Sequence, residues 1–371
     1  MKIKEIIKVL NQMAPLDYAE DFDNVGLIVG NQDEICKGIL VCHDTLESVV
    51  DEAIIKKCNL IVSFHPIVFS GLKKITGKNY VEKSIIKAIK NDIAIYAIHT
   101  ALDNHNQGVN KIFCEAIGLQ NTKILIPKKK FIKKLITYTV PENANQLRNA
   151  LHDAGAGMIG NYYNCSFNSV GFSTYQGNEN SNPVVGKKGE LTTTDEIKIE
   201  VVFEKHLESK ILKALFSNHI YEEIAYEVYD LQNEHQDIGL GMIGELETEM
   251  TAKDFLLFVK QKMSCGGIRH SELLEKPIKK VAVLGGSGSF AIKNAILAGA
   301  DVFLTADLKY HQFYEAENQI VLADIGHFES ERYTKNYIVD FLTKKITNFA
   351  PNLLKGNIIL SEINTNPIKY L

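Results

Sequence analysis

Short, continuous apolar runs alternate with amphipathic helical patterns from about residue 38 onward, and this alternation is what most constrains the fold. In the first part of the chain the runs are GILVC, NLIVSF and IAIYAIH. The same rhythm returns after about residue 240 in KKVAVL, DVFLTA, QIVLAD and, near the end, NIILSE. Such runs are typical of parallel strands that helices cover on both faces. The sequence therefore predicts two α/β segments.

The middle of the chain, roughly residues 128–235, has a different pattern. Strand-like and helix-like stretches follow one another there in the order βαββαβ, which is typical of a ferredoxin-like α+β fold. A stretch rich in Gly, Asn and Ser, QGNENSNPVVGKKG, predicts a loop between the two central strands. Because the α/β rhythm resumes afterwards, we interpret the middle as an inserted domain. The predicted domain boundaries are 1–127, 128–235 and 236–371.

Composition and charge argue against several classes of protein. The net charge is −4, so a general attraction to nucleic acid or to an anionic membrane is not expected. We interpret the lysines clustered within residues 128–134 as a solvated linker rather than a nucleic-acid patch. No apolar stretch reaches the roughly 18 residues that span a bilayer. The N-terminal sequence MKIKEIIKVLNQM predicts an amphipathic helix rather than a signal peptide.

The six cysteines are scattered along the chain and form no CxxC pair. This pattern indicates reduced thiols and a cytoplasmic protein, and it argues against a cysteine-based zinc site or a disulfide framework. Candidate metal ligands are therefore found among the histidines and the acidic residues.

Residues of this kind follow the predicted strands. His65 lies after one strand in SFHPIVF, and Asp103 lies after the next in IHTALDNHNQGVN. Near the C-terminus, GHFESE places His327 and Glu331 four residues apart at the start of a predicted long helix, on one face and about 5–6 Å apart at Cβ. In parallel sheets, ligands bind beyond the carboxyl ends of the strands. We therefore predict that these four residues hold a divalent metal.

Each of these residues also has a structural explanation. A histidine at a strand end is often merely polar, the Asp-Asn pair at Asp103 often makes only a turn, and Glu331 can serve the helix dipole. Together they supply nitrogen and oxygen ligands without thiolate, which suits one or two ions of Zn²⁺, Mn²⁺, Fe²⁺ or Co²⁺ per subunit. Three or four protein ligands leave a position open for water, as in catalytic sites.

Two further histidines are candidates for catalysis. His99 is predicted to orient a ligand or a bound water, and His311 in DLKYHQ to act as a proton donor or substrate contact. For both, a satisfied polar residue in a loop is the alternative. The remaining histidines, His43 among them, are interpreted as structural or surface residues.

The sequence GGSGSF follows a predicted strand and opens a predicted helix, a context in which backbone amides can bind an anion. It lacks the Lys-Ser or Lys-Thr of a P-loop and the full spacing of a dinucleotide fingerprint. A phosphate contact and simple turn chemistry remain the two interpretations. The residues concerned are Gly285, Gly286, Ser287 and Gly288.

Six motifs in this order resemble those of the NIF-three-like proteins, also known as GTP cyclohydrolase I type 2 homologues or dinuclear-metal-centre hexameric proteins. The motifs are AEDFDNVGLIVG, SFHPIVFSGLKKI, IHTALDNHNQGVN, LGGSGSF, TADLKYHQ and GHFESE. They span both α/β segments, and the inserted domain is similar to the PII or CutA-like domain of the longer bacterial members. The resemblance also implies a toroidal homohexamer, built as a trimer of dimers, with metal sites that face an internal cavity.

The resemblance implies a pair of metal ions in a cleft between the two α/β halves. By position, His65, Asp103 and Glu331 match the ligands of one ion, while His327 and Glu331 match ligands of the other, with Glu331 bridging. The family typically has two adjacent histidines before the proline, where this chain has Phe64 and then His65. Phenylalanine cannot coordinate a metal, so either the second site is weak or empty, or a nearby group such as His99 substitutes.

Two functions are compatible with these residues. The leading hypothesis is a metal-dependent hydrolase of a nucleotide or a phosphorylated small molecule, with metal-activated water as the nucleophile. The resemblance suggests GTP cyclohydrolase activity, and a phosphoesterase is equally compatible with the chemistry. The alternative is a non-catalytic metal-binding regulatory or interaction protein, which the loss of a ligand at Phe64 favours. A third interpretation is that the histidines and acids only stabilise loops.

Overall fold

A computed structural model gives the fold of the chain and describes residues 1–349 and 357–371. The chain divides into two compact units. The core unit consists of Met1–Pro127 and Asp237–Leu371, and the inserted unit consists of Lys128–Gln236. The inserted unit is thus the part of the chain that interrupts the α/β rhythm.

The first part of the core unit begins with the predicted amphipathic helix, α1 (Ile3–Met13). Its apolar positions recur every three or four residues, so Ile6, Leu10 and Met13 are buried on one face. The elements that follow are β1 (Gly26–Val29), β2 (Ile39–Cys42), α2 (Glu47–Ile55), β3 (Leu60–Ser63), α3 (Tyr80–Lys90), β4 (Ala94–Ala97), α4 (His99–Asp103), α5 (Val109–Ala116) and β5 (Gln120–Pro127). The apolar runs form β2, β3 and β4, which are buried at every position.

The inserted unit has the element order βαββαβ. Its elements are β6 (Ile132–Thr139), α6 (Pro141–Asp153), β7 (Phe167–Gln176), β8 (Leu191–Glu204), α7 (Glu208–Asn218) and β9 (Tyr226–Asp230). The four strands form one antiparallel sheet in the order β7-β8-β6-β9. Alternate residues of β6 and β8, such as Leu135 and Val201, pack with Leu147 of α6 and Ile211 of α7. The unit therefore has a hydrophobic core of its own.

The last part of the core unit returns to strands and helices. Its elements are β10 (Gly239–Met250), α8 (Ala252–Lys262), β11 (Arg269–His270), β12 (Ile278–Ser287), α9 (Ile292–Leu297), β13 (Val302–Ala306), β14 (Val321–Asp324), α10 (His327–Glu331), α11 (Thr334–Phe349) and β15 (Ile358–Leu360). Within residues 1–349 and 357–371, no helix is both long enough and apolar enough to cross a membrane.

The predicted long helix after GHFESE is two helices, because α10 ends at Glu331 and α11 begins at Thr334. In the turn between them, Arg332 and Tyr333 donate side-chain hydrogen bonds to the backbone carbonyls of Met263 and Lys262 at the end of α8. These bonds satisfy carbonyls that α8 leaves without helical partners. The turn is therefore anchored to α8.

Strands from both parts of the core unit meet in each of its sheets. The first sheet has the order β1-β4-β3-β2-β15, in which β15, β2, β3 and β4 are parallel. The second has the order β11-β14-β13-β12-β10-β5, in which β12, β13 and β14 are parallel. The run NIILSE thus supplies the expected extra strand, and the prediction of parallel strands is confirmed for these seven strands.

The prediction of parallel strands did not extend to the remaining members of these two sheets. The antiparallel strands are β1, β5, β10 and β11. An antiparallel strand needs no helical crossover to reach its neighbour, so the β/α rhythm does not indicate it. Helices nevertheless cover both faces of β12, because Val283 packs in a cluster with α5 and α8 and Ala282 in a cluster with α9.

Candidate metal centre

Polar side chains from both sheets converge at the carboxyl ends of the parallel strands. His43 and Asp44 follow β2, and His65 follows β3. On the second sheet Asp307 follows β13, while β14 leads into α10, which ends at Glu331. Residues that are far apart in the sequence are thereby brought together, as expected for the carboxyl ends of parallel strands.

Glu331 lies at the centre of this cluster and is only 3% exposed. Its Oε2 atom is 3.3 Å from Nε2 of His65 and 3.4 Å from Nε2 of His327. The three residues offer ligand atoms that all lie within 4.8 Å of one another. Bonds of about 2.0–2.1 Å to a tetrahedral Zn²⁺ would place neighbouring ligand atoms roughly 3.3 Å apart. The spacing is therefore compatible with three ligands around one ion.

The two imidazole rings are held by carboxylates on their other side. Nδ1 of His65 lies 2.8 Å from Oδ1 of Asp44, and Nδ1 of His327 lies 2.7 Å from Oδ2 of Asp307. When Nδ1–H donates to a carboxylate, the lone pair of Nε2 is left for a metal. Both Nε2 atoms face Glu331, so the two rings have the orientation of metal ligands.

The charges in the cluster are strongly coupled. Burial lowers the pKa of His65, but hydrogen bonds to Asp44 and Glu331 outweigh it and raise that pKa to about 10. Burial likewise lowers the pKa of His327, and the charge of Glu331 with the hydrogen bond to Asp307 raises it to about 9. Burial raises the pKa of Glu331, but the neighbouring histidines bring it well below its usual value. The carboxylates of the cluster are thus close enough to raise the pKa of both histidines.

Asp103 lies at the end of α4 and lines the same cleft. Its Oδ1 atom is buried and has no hydrogen-bond partner among the described residues. Burial, followed by the charge of Glu331, raises the pKa of Asp103 well above its usual range. Such an oxygen is costly unless it is paired. A divalent cation would supply the pairing. Among the described residues, His65, His327 and Glu331 have the mutual spacing for one ion, whereas the carboxylate of Asp103 lines the same cleft outside that close group.

His99 is positioned at the first residue of α4 and lines the cleft with the predicted ligands. Its Nδ1 lies 2.8 Å from Oδ1 of Asp23, in the segment DFDN, and its ring stands edge-on to His65 with the centroids 5.1 Å apart. The backbone of His99 has φ = +33°, a region that non-glycine residues rarely adopt. Strain of this kind tends to occur at functional sites.

His43 has a role that the sequence analysis missed, because it was interpreted there as structural. Its ring is 3% exposed, and Nε2 lies 3.1 Å from Oε2 of Glu331. Nδ1 of His43 is buried without a partner in the described part of the chain. In the tautomer that fits these contacts, the proton is on Nε2, and this N–H donates a hydrogen bond to Glu331. No local spacing marks this pair, since 288 residues separate its members.

Phe64, which stands where the resemblance leads one to expect a histidine, is fully buried. Its ring packs at 5.3 Å from His43 and at 5.7 Å from His99, measured between centroids. It therefore contributes apolar packing behind the cluster. The sequence analysis named His99 as a substitute for the missing histidine. In the structure, the further imidazole that contacts Glu331 is that of His43.

The glycine-rich loop forms a wall of the cluster. The amide of Gly285 donates to Oδ1 of Asn110 at 2.9 Å, and the amide of Gly286 donates to Oγ of Ser330 at 2.9 Å. Because these two amides already have partners, they do not provide the predicted phosphate contact. Gly286 has φ = +70°, and a Cβ there would lie 2.6 Å from Oε1 of Glu331. The closeness of Glu331 therefore explains why position 286 is a glycine.

The other two residues of the loop also have structural partners. The hydroxyl of Ser287 donates to Oδ2 of Asp307, the carboxylate that holds His327. A Cβ on Gly288 would lie 2.2 Å from Oγ1 of Thr305, so this position also requires a residue without a side chain. The loop thus packs against His327, Glu331 and Asp307, and two of its amides, those of Gly285 and Gly286, already have partners.

The structure does not bring His311 to the cleft. It lies in a 3₁₀ turn, Tyr310–Ala316, and is exposed. Its ring packs edge-on against Tyr310 at a centroid distance of 5.1 Å, and it is absent from the residues that line the cleft. The polar segment that contains it forms no strand or long helix that would carry it to the strand ends.

The cleft over the cluster has a volume of about 580 Å³. Its lining includes three phenylalanines that are more than half exposed: Phe22 at 68%, Phe69 at 52% and Phe290 at 58%. Phe22 and Phe69 are tilted against each other with centroids 6.3 Å apart. The cleft therefore combines the buried polar side chains of the cluster with exposed aromatic rings, which form its rim.

Comparison with known proteins gives consistent matches over the whole chain. The family model described as Duf34/NIF3 (NGG1p interacting factor 3) matches residues 1–367. A Bacillus subtilis protein named GTP cyclohydrolase 1 type 2 homolog is 38% identical, over 99% of this chain and 98% of the relative. A protein of the same name from Halalkalibacterium halodurans is 35% identical, over 99% and 98% of the two chains.

Solved structures give the same picture. A Bacillus cereus protein related to NIF3 is 38% identical and has a TM-score of 0.83, covering 100% of this chain and 99% of the other. A Staphylococcus aureus protein is 30% identical with a TM-score of 0.76, also covering 100% and 99%.

Proposed function

The chain belongs to the Duf34/NIF3 family, and from this we propose that it is a metal-dependent hydrolase of a nucleotide or another phosphorylated small molecule. The observation that carries the proposal is the convergence of His65, His327 and Glu331, with each imidazole held at Nδ1 by a carboxylate. Side chains that serve only loop stability do not need such a set of inward-facing Nε2 atoms.

We propose that His65, His327, Glu331 and Asp103 hold a divalent ion of the Zn²⁺, Mn²⁺, Fe²⁺ or Co²⁺ class. When bound, such an ion supplies Lewis acidity and lowers the pKa of water. Asp44 and Asp307 fix the orientation of the two imidazole rings, and Nε2–H of His43 donates a hydrogen bond to Glu331. His99, fixed at Nδ1 by Asp23, has Nε2 available to accept or donate a proton at the edge of the cleft.

The aromatic rim supports a planar substrate. Phe22, Phe69 and Phe290 offer apolar ring faces at the mouth of a cleft whose floor carries the ligands. A purine base could stack on these rings, because offset stacking of aromatic rings is favourable. The name of the relatives, GTP cyclohydrolase 1 type 2 homolog, adds guanine nucleotides to the substrates that deserve testing first.

We propose one tightly bound ion per chain rather than two. Phe64 offers no ligand atom, and the N–H of His43 occupies one lone pair on Oε2 of Glu331. Gly286 lies near Oε1, since a Cβ added at this glycine would be 2.6 Å from that oxygen. These features support one ion at Glu331.

We also propose that the inserted unit is a ferredoxin-like domain of the PII or CutA-like type. Its βαββαβ order and its strand order, β7-β8-β6-β9, support this assignment. A homohexamer, as the family resemblance implies, is a further proposal. Sedimentation equilibrium of the purified chain tests it, with a mass six times 41.5 kDa as the expected result.

A non-catalytic metal-binding regulator is the second candidate, and Phe64 is the observation that favours it. A site limited to one ion is less suited to two-metal chemistry, in which both ions stabilise the reacting oxygens. In that case metal binding would change assembly or partner binding without any turnover.

The two candidates are separated by assaying the metal-loaded protein against GTP, other nucleotides and simple phosphoesters. The hydrolase proposal predicts turnover that Glu331→Gln reduces by at least about a hundredfold while the folded structure and the oligomer remain. The matched control, Glu317→Gln, changes an exposed glutamate remote from the cleft lining and should leave the rate unchanged. Absence of turnover on all these substrates, with metal bound, would contradict the hydrolase and leave the regulator.

A further inference from the structure

The inserted unit contains a cavity of about 720 Å³ that shares no residue with the metal centre. Glu196 and Lys198 of β8 line it, whereas the alternate residues Ile199 and Val201 pack with α6 and α7. Because successive side chains of a strand point to opposite faces, the cavity lies on the sheet face away from the helices. Its volume is within the range of small-molecule sites, about 300–1,000 Å³.

A buried carboxylate stands in this cavity. Glu196 is 6% exposed, and its Oε1 accepts a hydrogen bond of 2.7 Å from the hydroxyl of Tyr221. Burial, together with the hydrogen bond to Glu196, raises the pKa of Tyr221 above its ordinary value, so the hydroxyl remains a donor at neutral pH. No salt bridge to Glu196 is formed by the part of the chain that the structure describes. A buried carboxylate is stabilised when a cation pairs with it.

The residue opposite Glu196 leaves the space beside it open. In the antiparallel register of β7 and β8, Gly171 is the direct partner of Glu196. A Cβ built on Gly171 would meet no atom within 4 Å, and its φ is one that any residue adopts. Neither packing nor backbone conformation explains this glycine, whereas glycine within a strand often marks the approach of a ligand.

A second polar atom in the cavity has no partner. Ser173 lies two residues beyond Gly171 on the same face of β7 and lines the cavity. Its Oγ is buried and makes no hydrogen bond within residues 1–349 and 357–371. A buried hydroxyl of this kind is expected to have a partner, which a bound molecule would provide.

Aromatic rings and a tethered loop line the space. Tyr138, Tyr175 and Tyr221 line it, with the rings of Tyr175 and Tyr221 at a centroid distance of 6.5 Å. The loop after β7 is held down at two points, because the hydroxyl of Tyr175 donates to the carbonyl of Val185 and the amide of Asn182 donates to Glu222. The cavity is therefore a built feature of the unit rather than a gap between loose loops.

The charge of the lining is negative. Glu196, Glu222 and Glu223 line the cavity, and the single lysine among the lining residues, Lys198, already pairs with Glu200 at 2.5 Å. A negative cavity attracts cations and repels anions. Tyrosine faces add to this preference, since they attract ammonium groups through cation–π contacts.

We propose that this cavity binds a small organic cation, an ammonium or amidinium group on an aromatic or apolar body. The charged group pairs with Glu196 in the space that Gly171 leaves open. The body lies against the rings of Tyr138, Tyr175 and Tyr221. The site is independent of the hydrolase proposal, because none of its residues lies in the core unit.

Isothermal titration of the full chain with three probes of similar shape tests the proposal: phenethylammonium, neutral 2-phenylethanol and anionic 3-phenylpropanoate. We expect phenethylammonium to bind once per chain and at least about tenfold more tightly than 2-phenylethanol, because a charge-assisted contact is stronger than a neutral one. The anion should not bind. Glu196→Gln, which preserves the shape of the side chain, should remove the preference for the cation.

Gly171→Val provides an independent test, since valine is favourable in a strand and would fill the space without a clash. It should abolish binding of both phenethylammonium and 2-phenylethanol while the thermal midpoint stays at or above that of the parent. The control, Glu142→Gln, removes an exposed carboxylate on α6 and should bind like the parent.

Three results would overturn the proposal. The first is equal binding of the cation and the alcohol, and the second is unchanged binding in Glu196→Gln and Gly171→Val. The third is the absence of binding by all three probes. If none of the probes binds, the mass of the Gly171→Val variant should be measured by sedimentation. A lower mass than that of the parent would identify the cavity as a contact between copies of the chain.

Discussion

Asp44 and Asp307 contact the two histidines of the proposed metal centre from outside the group formed by His65, His327 and Glu331, although an oxygen of Asp44 also lies within 4.8 Å of ligand atoms of His43 and His65. Each accepts from Nδ1–H of a histidine and thereby fixes the ring and its tautomer. Replacing Asp44 or Asp307 by Asn should weaken metal affinity by about 10–100-fold, as expected for loss of such a partner. Competition with a chromophoric chelator measures this. Asp153→Asn, at an exposed site of the inserted unit, serves as the control and should not change the affinity.

We propose that Phe64 limits the number of metal ions that each chain binds. Phe64→His would place an imidazole beside His43 and Glu331, at the position where the resemblance leads one to expect a ligand. We expect metal content to rise from about one ion per chain toward two, measured by elemental analysis after equilibration with Zn²⁺. An unchanged content of one ion in a folded variant would show that Phe64 does not limit the site.

The residues of the centre differ in how far the sequence indicates them. His327 and Glu331 are marked by a helical spacing of four, and His65 by its place after an apolar run. His43 precedes Asp44 in the same kind of position, but its partner is 288 residues away, so only the three-dimensional structure reveals the pair. His311 was predicted from its place in the segment DLKYHQ after a predicted strand, and such a position does not determine where a turn places the side chain.

Among the elements, the glycine-rich loop is the one whose geometry the centre most requires. Gly286→Ala would place a Cβ 2.6 Å from Oε1 of Glu331 at a φ of +70°. We expect loss of metal binding and a destabilisation of roughly 1–3 kcal/mol, because strain at such a backbone conformation adds to the clash. Metal content and thermal melting measure the two effects. Gly71→Ala, where a Cβ meets no atom within 4 Å, should change neither.

Glu52 of α2 stabilises the end of the C-terminal strand β15 through hydrogen bonds. The carboxylate of Glu52 accepts from the hydroxyl of Ser361 at 2.5 Å and from the amide of Glu362 at 3.0 Å. Glu52→Gln should destabilise the core unit by about 1–3 kcal/mol in chemical denaturation at pH 7, because buried donors lose a charged acceptor. Glu47→Gln on the same helix breaks only a surface pair with Lys87 and should cost less than about 1 kcal/mol.

The loss of stability caused by Glu52→Gln should depend on pH. Burial raises the pKa of Glu52, but the amide of Glu362 and the hydroxyl of Ser361 outweigh it and lower that pKa below its ordinary 4.5. A depressed pKa contributes stability that is fully present above pH 4.5 and is lost as the pH falls through the folded value. The difference between parent and Glu52→Gln should therefore shrink in acid. A difference that stays constant down to pH 3 would contradict this account.

The sequence predicts those elements whose burial leaves a periodic signal. Apolar runs identify β2, β3, β4, β12, β13 and β14, because parallel strands covered on both faces are apolar throughout. The strands β5 and β10 were not predicted, since their outer positions are partly exposed and their pairing is not local. The break between α10 and α11 depends on contacts of Arg332 and Tyr333 with α8, which no local pattern records.

On the scale of the whole molecule, the two units should be separable. The inserted unit has its own core, and the core unit pairs Pro127 with Gly239 at the point of insertion. A variant in which a short Gly-Ser linker joins Pro127 to Asp237 should therefore fold and bind as much metal per chain as the parent. Circular dichroism and elemental analysis test this. A folded variant without metal would show that the inserted unit is needed for the centre.

The central claim is that His65 and Glu331 belong to a site for one divalent ion, and metal content per chain tests it most directly. The measurement is elemental analysis of protein purified without an affinity tag or chelator and equilibrated with Zn²⁺, beside His65→Ala and Glu331→Gln. We predict about one ion per chain in the parent and its loss in both folded variants. A parent without metal, or an ion retained in both variants, would contradict the account.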